Sequence, residues 1–338
     1  MSTTEERVGD ELLAIDRSQF LYPMAPRKNP NAAALRERTQ SFVQRFQLAP
    51  EPKAQKKIDA IQLEDMTAAI YVDAAPDTLQ VCNDLLLWFF VSDDQYDERA
   101  IGTSPLKMQK VCMNFLRILQ TGSAREAVSP LGRALLDLRE RLVTLSSPEW
   151  FARFVADMDL YFQGCLQEAH NRESQRVPEF EEYRSLRRAS VGTYPCFDLI
   201  ELGLPAALPQ SVLQQPSLGV LRDLSTDVIA WVNDIVSLQK ERAFLDPHNI
   251  ITVLNHECGI SVAEAVKKTV EIHNEAMEEF GRIAQGFARE TGAPGRAYLD
   301  GLEQWMRGVF DWSFQSARYR SEYLSLSLAA HHVLLHLT

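Results

Sequence analysis

Long stretches of this chain space their apolar residues as a helix does, and none alternates them as a strand would. The period holds over about 74–92, 105–121, 127–145, 148–173, 179–191, 216–242, 261–290 and 295–323, with apolar residues three and four apart on one face. Turn chemistry bounds these stretches: "GTSP", "SSPEW", "RVPEF", "GLPAALPQ", "FLDPHN" and "TGAPG" place Gly and Pro where the period stops. A further amphipathic helix is predicted from near Asn31, an acceptable N-cap, after the Pro-rich entry "FLYPMAPRKNP". No internal repeat or low-complexity linker divides the 338 residues. The reading is therefore one all-α domain over 19–338, a helical bundle, preceded by a flexible polar segment, 1–18. The final "SLSLAAHHVLLHLT" is apolar enough to dock on the body or on a partner.

Charge and composition exclude several classes. The net charge is −11 with no concentrated basic tract, which argues against nucleic-acid binding. The longest apolar run, Leu85–Val91, falls far short of the roughly 20 residues of a membrane span. The opening "MSTTEERVGDELLAIDRSQF" is acidic where a secretory signal is basic, so a cytoplasmic protein is expected. Cys82, Cys112, Cys165, Cys196 and Cys258 show no pairing motif, and His256 with Cys258 in "NHECGI" lacks zinc-site spacing.

Two clusters carry chemistry. In "LLLWFFVSDDQYDERA", the apolar run reaches Asp93, Asp94, Asp97 and Glu98 almost at once. On a helix Asp93 and Asp97 are an i,i+4 pair with Cβ atoms about 5–6 Å apart, and Asp94 and Glu98 form a second pair beside it. Like charges at that spacing repel, so the cluster suits a hard divalent cation, Mg²⁺ or Mn²⁺. Phe89 and Phe90 stand one turn earlier, making that face aromatic below and anionic above. The second cluster, "WVNDIVSLQKERAF", carries Asn233, Ser237 and Glu241 at i, i+4 and i+8. Those positions drift by only ~40° per step, so an amide, a hydroxyl and a carboxylate climb one helical face. Lys240, next to Glu241, is placed to reach an anion held by the same cation.

Together "DDQYDE" and "NDIVSLQKE" resemble the aspartate-rich motif and the Asn-Ser-Glu triad of microbial class I terpene synthases. "YPMAPRKNP", "EAHNRESQRVPEFEEYRSLRR", "HNIITVL" and "WSFQSARY" resemble other segments of that family in the same order. The resemblance implies an antiparallel helical barrel around an apolar pocket, with three Mg²⁺ ions holding a prenyl diphosphate at the rim. It implies Asp93 as the leading metal ligand of the first motif, completed by Asp97 or Glu98, and Asn233, Ser237 and Glu241 as ligands of the remaining ion. Arg187 matches the diphosphate-sensing arginine, Lys240 a diphosphate contact, and Arg318 with Tyr319 the pair that closes over the diphosphate. Ser190, Val191 and Gly192 fall where the family breaks a helix to aim a carbonyl at the substrate. Phe89, Phe90 and Phe314, one turn below Arg318, are candidates to face a carbocation, with plain core packing the alternative for each. The implied reaction is cyclisation of farnesyl diphosphate to a sesquiterpene, with geranylgeranyl diphosphate or an inactive isoprenoid-binding scaffold as alternatives. A second aspartate-rich motif, as in chain-elongating synthases, is lacking, and so is the DxDD of proton-initiated cyclases. The oligomeric state is left open, a homodimer included.

Overall fold

Proline opens six of the helices, at Pro52, Pro76, Pro105, Pro130, Pro148 and Pro216. At that position its missing N–H costs nothing and its fixed φ already suits the helix. The computed structural model describes residues 15–98, 101–320 and Tyr323, with the side chains of Asp97 and Glu98 outside that description. In chain order the helices are α1 Leu35–Phe46, α2 Pro52–Ile61, α3 Leu63–Ile70, α4 Pro76–Glu98, α5 Pro105–Thr121, α6 Pro130–Leu145 and α7 Pro148–Ser174. There follow α8 Phe180–Ser190, α9 Thr193–Leu202, α10 Gln210–Leu213, α11 Pro216–Ala243, α12 Ile250–Cys258 and α13 Val262–Gln315. No strand occurs among the described residues, and no described helix is long and apolar enough to cross a membrane.

The all-α expectation holds, with local differences. α2, α3, α9, α10 and α12 were not anticipated; α2 and α3 are short and separated only by Gln62 at φ 52. Asn31 makes no side-chain cap: a 3-10 turn, Ala32–Ala34, intervenes before α1. The stretch expected over 295–323 stops at Gln315, where Ser316 turns extended and Ala317–Tyr319 form a 3-10 turn. Within α13, Gly292 at φ 63 and Pro294 make the break that "TGAPG" foretold. Of the segment 1–18, expected to be loose, the described residues make contacts: Ile15 packs on the core and Arg17 pairs with Asp311 at 2.5 Å. Its residues 1–14 lie outside the described residues, as does the C-terminal "SLSLAAHHVLLHLT".

α11 and α13 share the broadest helix contact, while α3 packs on α13 and α7 on α5 and α8. The apolar run of α4 divides its labour. Leu85, Leu87 and Trp88 are buried between helices, Trp88 donating its indole N–H to the Leu131 carbonyl at 3.0 Å. Fully burying each such side chain contributes about 1.5–3 kcal/mol. Leu86, Phe89 and Phe90, at the helical offset from these, face a central cavity.

Candidate active site

Five walls enclose the cavity. α4 gives Leu86, Phe89, Phe90 and Asp93; α7 gives Tyr161, Cys165, Glu168 and Arg172; α11 gives Ile229, Asn233, Ser237, Lys240 and Glu241. α13 adds Trp305, Val309 and Trp312, and the α8–α9 junction adds Arg187 and Ser190–Thr193. Arg318 and Tyr319 cover the mouth from the 3-10 turn. Most of the expected site residues are thus brought together. Phe314 is not: it packs outward on Phe20 and Phe310, with the Arg17 guanidinium 5.4 Å from its ring centre, and does not line the cavity. Two residues past Trp312, Phe314 lies about 200° round α13 from the cavity face, and the helix end at Gln315 takes Arg318 off the face that Phe314 occupies.

The two motifs meet at the mouth through the C-terminal turn. Arg318 Nη2 donates to Asp93 Oδ2 at 3.0 Å, and Asn233 Nδ2 donates to the Tyr319 hydroxyl at 2.8 Å. Lys240 Nζ lies 3.7 Å from Asp93 and 3.4 Å from Asp94. Asp94 is half-buried, and its desolvation alone would raise its pKa. The Arg318, Lys240 and Lys57 charges and a 2.6 Å hydrogen bond from the Tyr323 hydroxyl outweigh that and hold it well below the carboxylate range. Asp97 and Glu98 continue α4, but their side chains lie outside the described residues.

On α11 the triad climbs one face as its spacing predicted. Ser237 Oγ donates to Glu241 Oε1 at 2.7 Å, and Arg187 Nη2 donates to Asn233 Oδ1 at 2.9 Å. Arg187 also pairs with Asp234 at 2.8 Å, whereas Arg188 turns to Asp223 and Asp227 and does not line the cavity. Of the two adjacent arginines the site takes Arg187. Burial, reinforced by the Asp234 charge, pushes Glu241 up to about 8, so this carboxylate lacks sufficient positive charge. Among the described residues no three His, Cys, Asp or Glu side chains form a metal cluster; the triad depends on an amide and a hydroxyl instead. Its all-oxygen donors, one a half-buried carboxylate raised in this way, fit a hard divalent ion.

The α8–α9 break is built on Gly192 at φ 76, a region costly for any side chain. A Cβ there would sit 3.5 Å from the rings of Phe89 and Tyr161. Those two rings stand edge to face at 5.0 Å, and Phe90 meets Trp312 at 5.5 Å. The Arg318 guanidinium lies 4.8 Å from the Phe90 ring centre. The sequence reading passed over Tyr161, Trp305 and Trp312. For the tryptophans a signal existed: 305, 309 and 312 share one helical face.

Residues 84–279 match the family model described as terpene synthase family 2, C-terminal metal binding. (+)-Eremophilene synthase of Sorangium cellulosum (strain So ce56) is 32% identical over 306 residues, covering 90% of this chain and 93% of the relative. The chain belongs to the microbial class I terpene synthases. Another relative of this synthase is the (+)-T-muurolol synthase ((2E,6E)-farnesyl diphosphate cyclizing) of Roseiflexus castenholzii. It is 29% identical over 306 residues, 90% of this chain and 94% of its own. The crystal structure of linalool/nerolidol synthase from Streptomyces clavuligerus superposes with a TM-score of 0.78 at 27% identity, over 87% of this chain and 99% of that one. As a terpene synthase the protein is a lyase acting on a prenyl diphosphate with divalent metal.

Proposed function

We propose that this synthase ionises farnesyl diphosphate and cyclises it to a sesquiterpene, using three Mg²⁺ ions, with Mn²⁺ as a substitute. The observation that carries the reading is the joining of Asp93 and Asn233 at one cavity mouth by Arg318 and Tyr319. The C15 substrate is supported by the relatives, one of them named for cyclising (2E,6E)-farnesyl diphosphate.

In this reading Asp93, with Asp97 or Glu98, and Asn233, Ser237 and Glu241 hold the metal. Bound divalent ions supply the positive charge that makes diphosphate a competent leaving group. Arg187, Lys240 and Arg318 are the cations that take the diphosphate oxygens as it departs, and the Tyr319 hydroxyl adds a donor. All four line the mouth, so the anion leaves into a preorganised set of donors. Below them Phe89, Phe90, Tyr161 and Trp312 turn aromatic surface to the cavity, and each ring stabilises an allylic cation by about 0.5–2 kcal/mol. Val191 and Gly192 bring backbone to the same wall. The apolar lining keeps water from the cation, so the chain's own shape decides where positive charge travels.

Incubation with C10, C15, C20 and C25 diphosphates plus Mg²⁺, with volatile products resolved by gas chromatography–mass spectrometry, tests the proposal. A cyclic C15 product that disappears on chelation is expected. Turnover of the C20 substrate alone would make the enzyme a diterpene synthase and overturn the chain-length assignment.

A further inference from the structure

Between α11 and α12 the chain folds straight back over the end of the triad helix. Leu245, exposed, adopts φ 57, a left-handed conformation that a leucine takes only under constraint. The backbone N–H of Asp246 then donates to the Glu241 carbonyl at 2.9 Å. α7 braces this turn: Arg172 donates from Nε and Nη2 to Asp246 Oδ2 at 3.0 and 2.7 Å. His248 Nδ1 lies 2.7 Å from Asp246 Oδ1, and its Nε2 lies 3.0 Å from Asn171 Nδ2.

The braced turn delivers Asn249, fully buried, onto the triad. Its Nδ2 donates to Glu241 Oε2 at 2.7 Å and to the Asp234 carbonyl at 2.6 Å. Its Oδ1 accepts from the Ile251 N–H at 2.9 Å as the N-cap of α12. The cap decides which end of the amide is oxygen, so the NH₂ must face Glu241. Ser237 holds one oxygen of that carboxylate and Asn249 the other, which fixes its plane and leaves lone pairs for a cation.

We propose that Asn249 is a positioning residue of the metal site: it holds the Glu241 carboxylate in the rotamer that meets a divalent ion beside Asn233 and Ser237. The inference rests on the metal role proposed above for the triad. Hydrogen-bond partners of metal ligands set ligand orientation, and losing one typically costs 10- to 100-fold in metal affinity. Two substitutions separate this role from the helix cap. Asn249→Ser keeps a capping oxygen but is too short to reach Glu241. Asn249→Asp also caps, yet sets an acceptor against Glu241 Oε2.

The test is calorimetric titration of Mg²⁺ into the full chain with inorganic pyrophosphate present, alongside metal-free thermal melts and far-ultraviolet circular dichroism. Both variants are expected to stay helical and to need about 10- to 100-fold more Mg²⁺ for half-saturation than the wild type. Half-saturation within about threefold of wild type in a folded variant overturns the assignment. So does loss of folding in both, which would make Asn249 a residue of the fold alone. A wild type that takes up no Mg²⁺ with pyrophosphate fails at an earlier step, because it removes the metal role of the triad itself.

Discussion

His273 ties α13 to the N-terminal segment, and its burial makes that attachment sensitive to acid. Its Nε2 is 3.0 Å from the Tyr22 hydroxyl, its Nδ1 is 3.0 Å from Asn274 Oδ1, and the Phe20 ring stands edge to face at 5.1 Å. Burial, only partly offset by Asn274, lowers its pKa from 6.5 to about 4. The unfolded chain therefore takes up the proton first. Stability is intact above about pH 6.5, falls as pH drops from there, and reaches its full loss below about pH 4. At ~1.4 kcal/mol per pKa unit the full loss is about 3 kcal/mol, and about 2 kcal/mol of it is already present at pH 5. Urea unfolding near pH 7.5 and near pH 5, for the wild type and for His273→Gln, isolates this group from every other titrating residue. The wild type should lose about 2 kcal/mol more between the two conditions than the variant does. Parallel losses in the two proteins would refute the reasoning, because His273 would then titrate alike in the folded and unfolded chains.

Asp93→Ala and Asn233→Ala should each abolish product while leaving helical circular dichroism unchanged; retained turnover in either would count against the metal assignment. Phe89→Ala should redistribute products or slow ionisation, read by mass spectrometry of the volatiles, and an unaltered profile would return Phe89 to a packing role. Gly192→Ala should cost about 1–2 kcal/mol in urea unfolding because φ 76 is left-handed. It should also alter the product mixture, since the new methyl meets the rings of Phe89 and Tyr161.

The long helices were legible because each buries one face, and that face repeats in the sequence. α9 and α12 escaped notice for the opposite reason. In α9 Pro195 through Glu201 are buried without interruption, and in α12 Ile250, Ile251, Val253 and Leu254 are buried, so neither shows a clear polar face to set a period. The triad was visible because its three donors lie on one helix, where spacing fixes geometry. Phe314 shares a face with Arg318 only if the helical period continues across Ser316, where the backbone instead turns extended. Asn249 drew no site assignment, because its tie to Glu241 depends on the path of a turn that a helical period does not encode.

Asp93 and Asp94 show why a motif's letters are not equivalent. Adjacent residues on a helix differ by about 100°, so one carboxylate reaches the cavity and the other does not. The Asp93 side chain is 53% exposed at the mouth, whereas that of Asp94 is 14% exposed. Asp94 is engaged by Arg318 at 3.0 Å, Lys240 at 3.4 Å and the Tyr323 hydroxyl at 2.6 Å. Held by three donors, Asp94 ties the end of α4 to α11 and to the turn that carries Arg318 and Tyr319. The adjacent acids at the end of α4 thus have different surroundings. Arg318 and Lys240 reach both acids, but Asp93 also opens to the cavity, where the proposed metal role would use it, whereas Asp94 is held in addition by the Tyr323 hydroxyl.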